Sequence, residues 1–189
     1  MNTPGHLILG AALAAKPARL TILCCAIFGA ILPDLSLVVL VFWASSVQGI
    51  AESIIFSELY YSADWQRIFS VDNSIPIWSL IYIVALFGGW VHIKAFALAG
   101  LAHVTLDFAL HNDDARSQFW PLTSWKFESP ISYWDGNHFG QPVSLILFVI
   151  SLIAFIAVWR RFTQSGVRAV FLLLLLLDAW VGLSWWLYF

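Results

Sequence analysis

Six apolar runs dominate the chain and leave few ways to fold it: about 3–15, 20–46, 75–92, 95–111, 142–159 and 168–188. Crossing a bilayer takes about 20 apolar residues, and backbone that breaks off at membrane depth must be sheltered by protein or line a wet cavity. Only 11% of the residues are charged, against about 25% in a soluble domain, so the chain lacks the polar surface needed to face water. The expected fold is all-α, a polytopic integral membrane helical bundle of about six spans in one domain, residues 1–189. The first span is short. The second is expected to kink at Pro33, because proline removes a backbone donor and the residue before it avoids helix.

Charge gives the bundle two unlike ends. Connectors 16–19, 93–94 and 160–167, with Arg168 at the next boundary, hold Lys16, Arg19, Lys94, Arg160, Arg161 and Arg168 and no acid. The longer connectors, about 47–74 and 112–141, hold only Arg67, Arg116 and Lys126 beside eight acids. By the positive-inside rule the first group is cytoplasmic, so both termini and both long loops face outward. A net charge of -2 with no basic patch argues against a nucleic-acid partner. The N-terminus has no charged stretch ahead of its apolar run, unlike a signal peptide; Asn2 or Thr3 before Pro4 suggests a capped helix start. Cys24 and Cys25, adjacent in an apolar run, are expected to pack rather than bridge.

Ionisable groups inside spans are costly and usually mark function or a buried pair. Here they are His6, Asp34, His92, His103, Asp107, His111 and Asp178. In HVTLDFALHNDD, His103, Asp107 and His111 recur every four residues and share one helix face, with roughly 6 Å of rise between them. Imidazole mixed with carboxylate suits a hard or borderline dication. Counted from the cytoplasmic ends at about 1.5 Å per residue, His103, Asp107 and His111 lie roughly 12, 18 and 24 Å deep. Asp34 comes out near 21 Å, and His6 and Asp178 near 14 Å. His92, beside Lys94 at the boundary, reads as a packing residue. Asp178 reads as a partner for a neighbouring helix, with Trp180 or Trp185 as donors. The loop after the ladder, dense in aromatics, adds Asp113, Asp114, Glu128, Asp135 and His138 as further ligands or acid/base groups. Its aromatics read as an interfacial belt, or as an ordered cover over a site.

An early histidine (His6 in NTPGHLILG), Pro33-Asp34 in the second span, the HxxxDxxxH of His103, Asp107 and His111, and the loop FWPLTSWKFESP together resemble bacterial inner-membrane proteins described as membrane-bound metal-dependent hydrolases, a domain-of-unknown-function family. The resemblance covers about residues 1–140. It departs at PDLS, where Ser36 stands in place of the family's second acid, and in lacking a His-Arg pair and a Thr-His; a metal position is lost or the subfamily is distinct. The implied protein sits in the bacterial inner membrane, with the lipid bilayer and a lipid-like substrate as partners.

These observations lead to one expectation and a rival. The expectation is a divalent-metal hydrolase, zinc being the expected ion, acting on an amphiphilic or lipid-linked ester or phosphoester in the outer half of the membrane. His6, Asp34, His103 and Asp107 are the expected metal ligands, and His111 a ligand or an acid/base group. Asp114 or Asp135 would orient a water or a ligand histidine. No GxSxG or Walker-type loop offers another chemistry. The rival is a transport or accessory protein whose ladder relays protons or passes a metal ion.

Overall fold

The computed structural model describes residues 1–188, and among these there are helices and no strands. In chain order the helices are α1 (Thr3–Ala14), α2 (Leu20–Phe42, extended as a π-turn through Val47), α3 (Glu52–Ile54), α4 (Ala63–Asp72), α5 (Ile75–Phe87), α6 (Val91–Leu110), α7 (Gly140–Arg161) and α8 (Ser165–Tyr188). Five segments are long and apolar enough to cross a membrane: α2 with its extension, α4 and α5 together, α6, α7 and α8. With the short α1 they make the six spans expected from the apolar runs.

Two boundaries differ from the sequence expectation. The turn into α6 falls at Gly88–Trp90, not at 93–94, because Gly89 takes a left-handed φ of 69° that most side chains avoid. Lys94 and His92 therefore lie in the first turn of α6. In addition, 63–72, expected within a loop, is helix α4. Ser62 caps it through Trp65 N, and Ser74 restarts the helix as α5 by accepting from Ile77 N, with proline in the first turn. The third crossing is thus a helix interrupted at Asn73–Ser74. α2, in contrast, runs through Pro33 as one element, so Asp34 is a mid-helix residue.

Small residues let the central helices approach closely, as is usual where lipid offers no hydrophobic drive for association. A methyl added at Gly10 would stand 2.7 Å from Ala30 Cβ and 3.1 Å from Ala99 Cβ, and one at Gly29 would stand 2.0 Å from the Phe96 carbonyl oxygen. α1 is the centre of the bundle, lying against α2, α6, α7 and α8. Its C-terminal half joins the largest apolar cluster, with Ile8, Ala11, Leu23, Ala26, Ala99, Val158 and Phe162 buried together. Arg161, in the last turn of α7, donates to the Ala12 and Ala15 carbonyls, which closes the C-terminal end of α1. Large apolar side chains remain exposed around the outside, including Val38, Phe42, Leu80, Ile153, Leu176 and Trp180. A bilayer is the solvent that such a surface fits. Cys24 is on this exposed surface and Cys25 is half-buried; both are free thiols.

Candidate metal centre

Three helices and one loop bring the polar residues together. α1 carries His6, α2 carries Asp34, α6 carries His103 and Asp107, and the chain leaving α6 carries His111 and Asp114. Asp107 is the hub. Its Oδ1 is 2.9 Å from His6 Nε2 and 3.0 Å from the Met1 nitrogen, and its Oδ2 is 3.1 Å from His103 Nε2 and 3.5 Å from His111 Nε2. Asp34 Oδ1 lies 3.5 Å from His103 Nε2, while Thr3 Oγ1 donates to Asp34 Oδ2 at 2.6 Å. The His6 and His103 rings stack 3.6 Å apart at 7°, which sets their Nε2 atoms side by side. Ligand atoms of His6, His103 and Asp107 all lie within 4.8 Å of one another, and all three residues are buried. The metal residues expected from sequence, with His111 and Asp114, are therefore neighbours.

The partners behind the rings decide which nitrogens face the centre. A carbonyl oxygen only accepts, so His103 Nδ1–H must donate to Ala30 O, 2.6 Å away. Its Nε2 faces Asp107 and Asp34, as a lone pair in the neutral ring or as a second N–H donor in the protonated one. His111 repeats the device: Nδ1–H donates to Asp114 Oδ2 at 2.6 Å, and Nε2 faces Asp107. This is the backing found behind metal-ligating histidines, where an outer acceptor fixes the tautomer and raises the ring's basicity. Nitrogens that face carboxylates call for positive charge, from a ring proton, from the Met1 ammonium 3.0 Å from Asp107 Oδ1, or from a metal ion. A divalent cation supplies that charge, and nitrogen with carboxylate oxygen is a donor set it accepts. The residues fit such an ion.

Asp114 has further capacity. Its Oδ2 also accepts from Trp134 Nε1 at 3.2 Å, while Oδ1 is buried with no hydrogen-bond partner. Burial works against its charge, but the bond and charge of His111 hold its pKa below the usual carboxylate value. It is a carboxylate with one oxygen free to accept a proton or an O–H. Tyr133 stands edge-on to His111 at 5.4 Å. Burial, reinforced by Asp107 and Asp114, pushes its phenol well above the ordinary value, so it keeps its proton.

These groups line one cavity of about 680 Å³, bounded by Asp34, Asp107, His111, Asp114, Arg116 and Tyr133, with Leu37, Val38 and Val181 on its apolar side. The loop over it is held by hydrogen bonds to backbone carbonyls: Ser129 N donates to His111 O at 2.9 Å, and the Gln118 side chain, through Nε2, to Val104 O at 3.0 Å. Tyr133 and Trp134 face the site, whereas Trp120 and Trp125 are exposed. The aromatics thus divide between a cover and an exposed rim.

Other titratable groups are elsewhere. Asp135 accepts from Asn137 N at 2.9 Å and pairs with His138 Nδ1 at 2.5 Å, shaping the turn Gly136–His138, and it does not line the cavity. Asp178 is buried and accepts from Asn2 Nδ2 at 3.4 Å. His92 bonds Thr21 at the opposite end of the bundle. Arg116, Tyr60 and Asn73, near the site, carry no sequence pattern of their own; the one signal is a lone arginine in the acidic stretch directly after the ladder. Comparison of the chain with protein-family models, with curated proteins and with solved structures finds no match.

Proposed function

We propose that this chain is a membrane-embedded, divalent-metal-dependent hydrolase of the bacterial inner membrane, with its cavity on the outer side and an amphiphilic ester or phosphoester as substrate. The observation that carries the reading is the pair of tethered histidines: Nδ1 of His103 and of His111 is committed to an acceptor, so both Nε2 atoms face Asp107, where a cation can take the place of a ring proton. His6, Asp34, His103 and Asp107 would hold the cation, and His111 is the adjoining ligand or acid/base group. When bound, such a cation supplies Lewis acidity to an acyl or phosphoryl oxygen and to a water. Asp114, through its free oxygen, orients a water and takes its proton. Tyr133 offers a neutral O–H to the substrate. The cover of Tyr133 and Trp134 limits bulk water at the site.

The rival reading, a relay of protons or metal ions, draws on the same ladder. Against it, the half of the bundle beyond His6 is packed with apolar side chains among the described residues, so the polar cavity ends there. Metal analysis of the purified protein decides. Wild type is expected to retain about one equivalent of divalent cation after gentle purification, and His103→Ala or Asp107→Asn to lose it. Equally low metal in wild type and His103→Ala would sink the hydrolase reading. Bound metal with no turnover of any phosphoester or ester amphiphile would favour the relay.

A further inference from the structure

A guanidinium stays charged at any pH a protein meets, and burying a charge without an opposite one is costly. Arg116 is only 6% exposed. It is held in a bracket built for it: Nη1 donates to Asn73 Oδ1 at 2.7 Å, the Phe69 ring lies 5.2 Å from its carbon centre, and the Tyr60 phenol stands beside it. Asn73 is wholly buried and anchored in turn, donating to Pro33 O at 3.2 Å. Yet no carboxylate among the described residues lies within 4 Å of the guanidinium, and its Nε is buried with no hydrogen-bond partner. The nearby acids serve the histidines instead. Arg116 lines the same cavity as Asp107, His111 and Asp114.

We propose that Arg116 is the anion-recognition residue of this cavity and that its ligand is the phosphate of a phosphoester amphiphile, not a neutral carboxylic ester. The planar fork of N–H donors matches phosphate oxygens two at a time. A neutral ester offers that fork no opposite charge to pair with directly. The apolar part of the ligand has a place too, since Val38, which lines the cavity, is 58% exposed on the lipid-facing side of α2. The substrate assignment rests on the hydrolase reading; the anion binding does not. In the hydrolysis a water oxygen bonds phosphorus, the P–O bond to the alcohol breaks, the water's proton leaves with the alcohol, and the phosphate product remains paired with Arg116.

The test is binding by the full chain in dodecyl maltoside, followed by calorimetry before and after chelator treatment. The probes are dodecyl phosphate, laurate, methyl laurate and inorganic phosphate. Wild type is expected to prefer dodecyl phosphate over methyl laurate and over laurate, and Arg116→Gln to lose about ten- to hundredfold in affinity for it. Arg116→Lys should recover part of that loss. Should Arg116→Gln fail to fold, Arg116→Lys and the wild-type preference among the four probes still decide. Equal binding of dodecyl phosphate by wild type and Arg116→Gln overturns the proposal, as does equal binding of dodecyl phosphate and either laurate probe. Inorganic phosphate binding as tightly as dodecyl phosphate overturns the amphiphile and leaves a free-phosphate site. Metal content of the same samples separates the two readings: Arg116-dependent binding in metal-free wild type upholds the anion site alone. Metal-loaded protein indifferent to Arg116 upholds the metal centre alone.

Discussion

Gly29→Ala is the smallest change that should disturb both the bundle and the site. Its new methyl would stand 2.0 Å from the Phe96 carbonyl oxygen, 2.7 Å from the carbonyl carbon and 3.0 Å from Cα. Non-bonded heavy atoms settle at about 3.5–4.0 Å, so α2 and α6 must part by more than about 1 Å. Neither backbone can rotate aside as a side chain would. Overpacking of this kind costs about 1–3 kcal/mol, and rigid backbone on both sides puts this case toward the upper end. The same displacement separates Asp34 and the Ala30 carbonyl on α2 from His103 and Asp107 on α6, where sites tolerate only about 0.5 Å. Unfolding in detergent and metal content are the measurements, with Gly182→Ala as control because nothing lies within 4 Å of its added methyl. Gly29→Ala should lose stability and about tenfold or more in cation affinity, while Gly182→Ala stays within about 1 kcal/mol of wild type. A Gly29→Ala protein that unfolds with wild type and holds as much cation would refute the close-packing argument.

Asp114→Asn removes the charge behind His111 and should lower cation affinity about 10–100-fold, measured by equilibrium dialysis, with little change in unfolding. Arg161→Gln takes the charged donor from the Ala12 and Ala15 carbonyls; a loss of about 1 kcal/mol in detergent unfolding is expected, with cation content unchanged. Asp135 has its pKa lowered first by the His138 hydrogen bond. Its support of the turn is therefore full above its unfolded value, about pH 4, and is lost as pH falls through the lower folded value. Proteolysis within 132–140 should rise as pH drops from 7 to 3 in wild type, whereas Asp135→Asn should be cut readily at both ends of that range and keep its cation.

The site was legible in sequence because a helix repeats its faces. His103 and Asp107 at i and i+4 had to share a wall, and depth counting brought His6 and Asp34 near it; His111, expected on the same helix face, instead lies in extended backbone just past the end of α6 and still turns Nε2 to Asp107. Depth alone misled for Asp178, which has similar depth but meets Asn2. Which face a helix turns to its neighbours is decided by packing, which counting ignores. Counting from residue 95 also set the ladder about 6 Å too shallow, since α6 begins at Val91. The Gly88-Gly89 pair was a local signal outweighed by hydropathy. Arg116 was beyond reach: its bracket comes from Tyr60, Phe69 and Asn73, tens of residues earlier, and only tertiary structure unites them. Asp114 and Asp135 looked alike in sequence, yet one backs His111 and the other shapes a turn.

The brevity of α1 bears on how the protein is made. Twelve residues span about 18 Å, well short of a hydrocarbon layer of about 30 Å, and one of them is the buried His6. Such a segment has little hold on a bilayer by itself. It leaves the ribosome ahead of α2, α6, α7 and α8, the helices that enclose it, so its lodging must wait until they are threaded. His6 would then be the last of the histidines to reach Asp107, and at the proposed metal centre cation capture would be a late event of biogenesis. A nascent chain with α2 and α6 already inserted would still be an open, unfinished vessel.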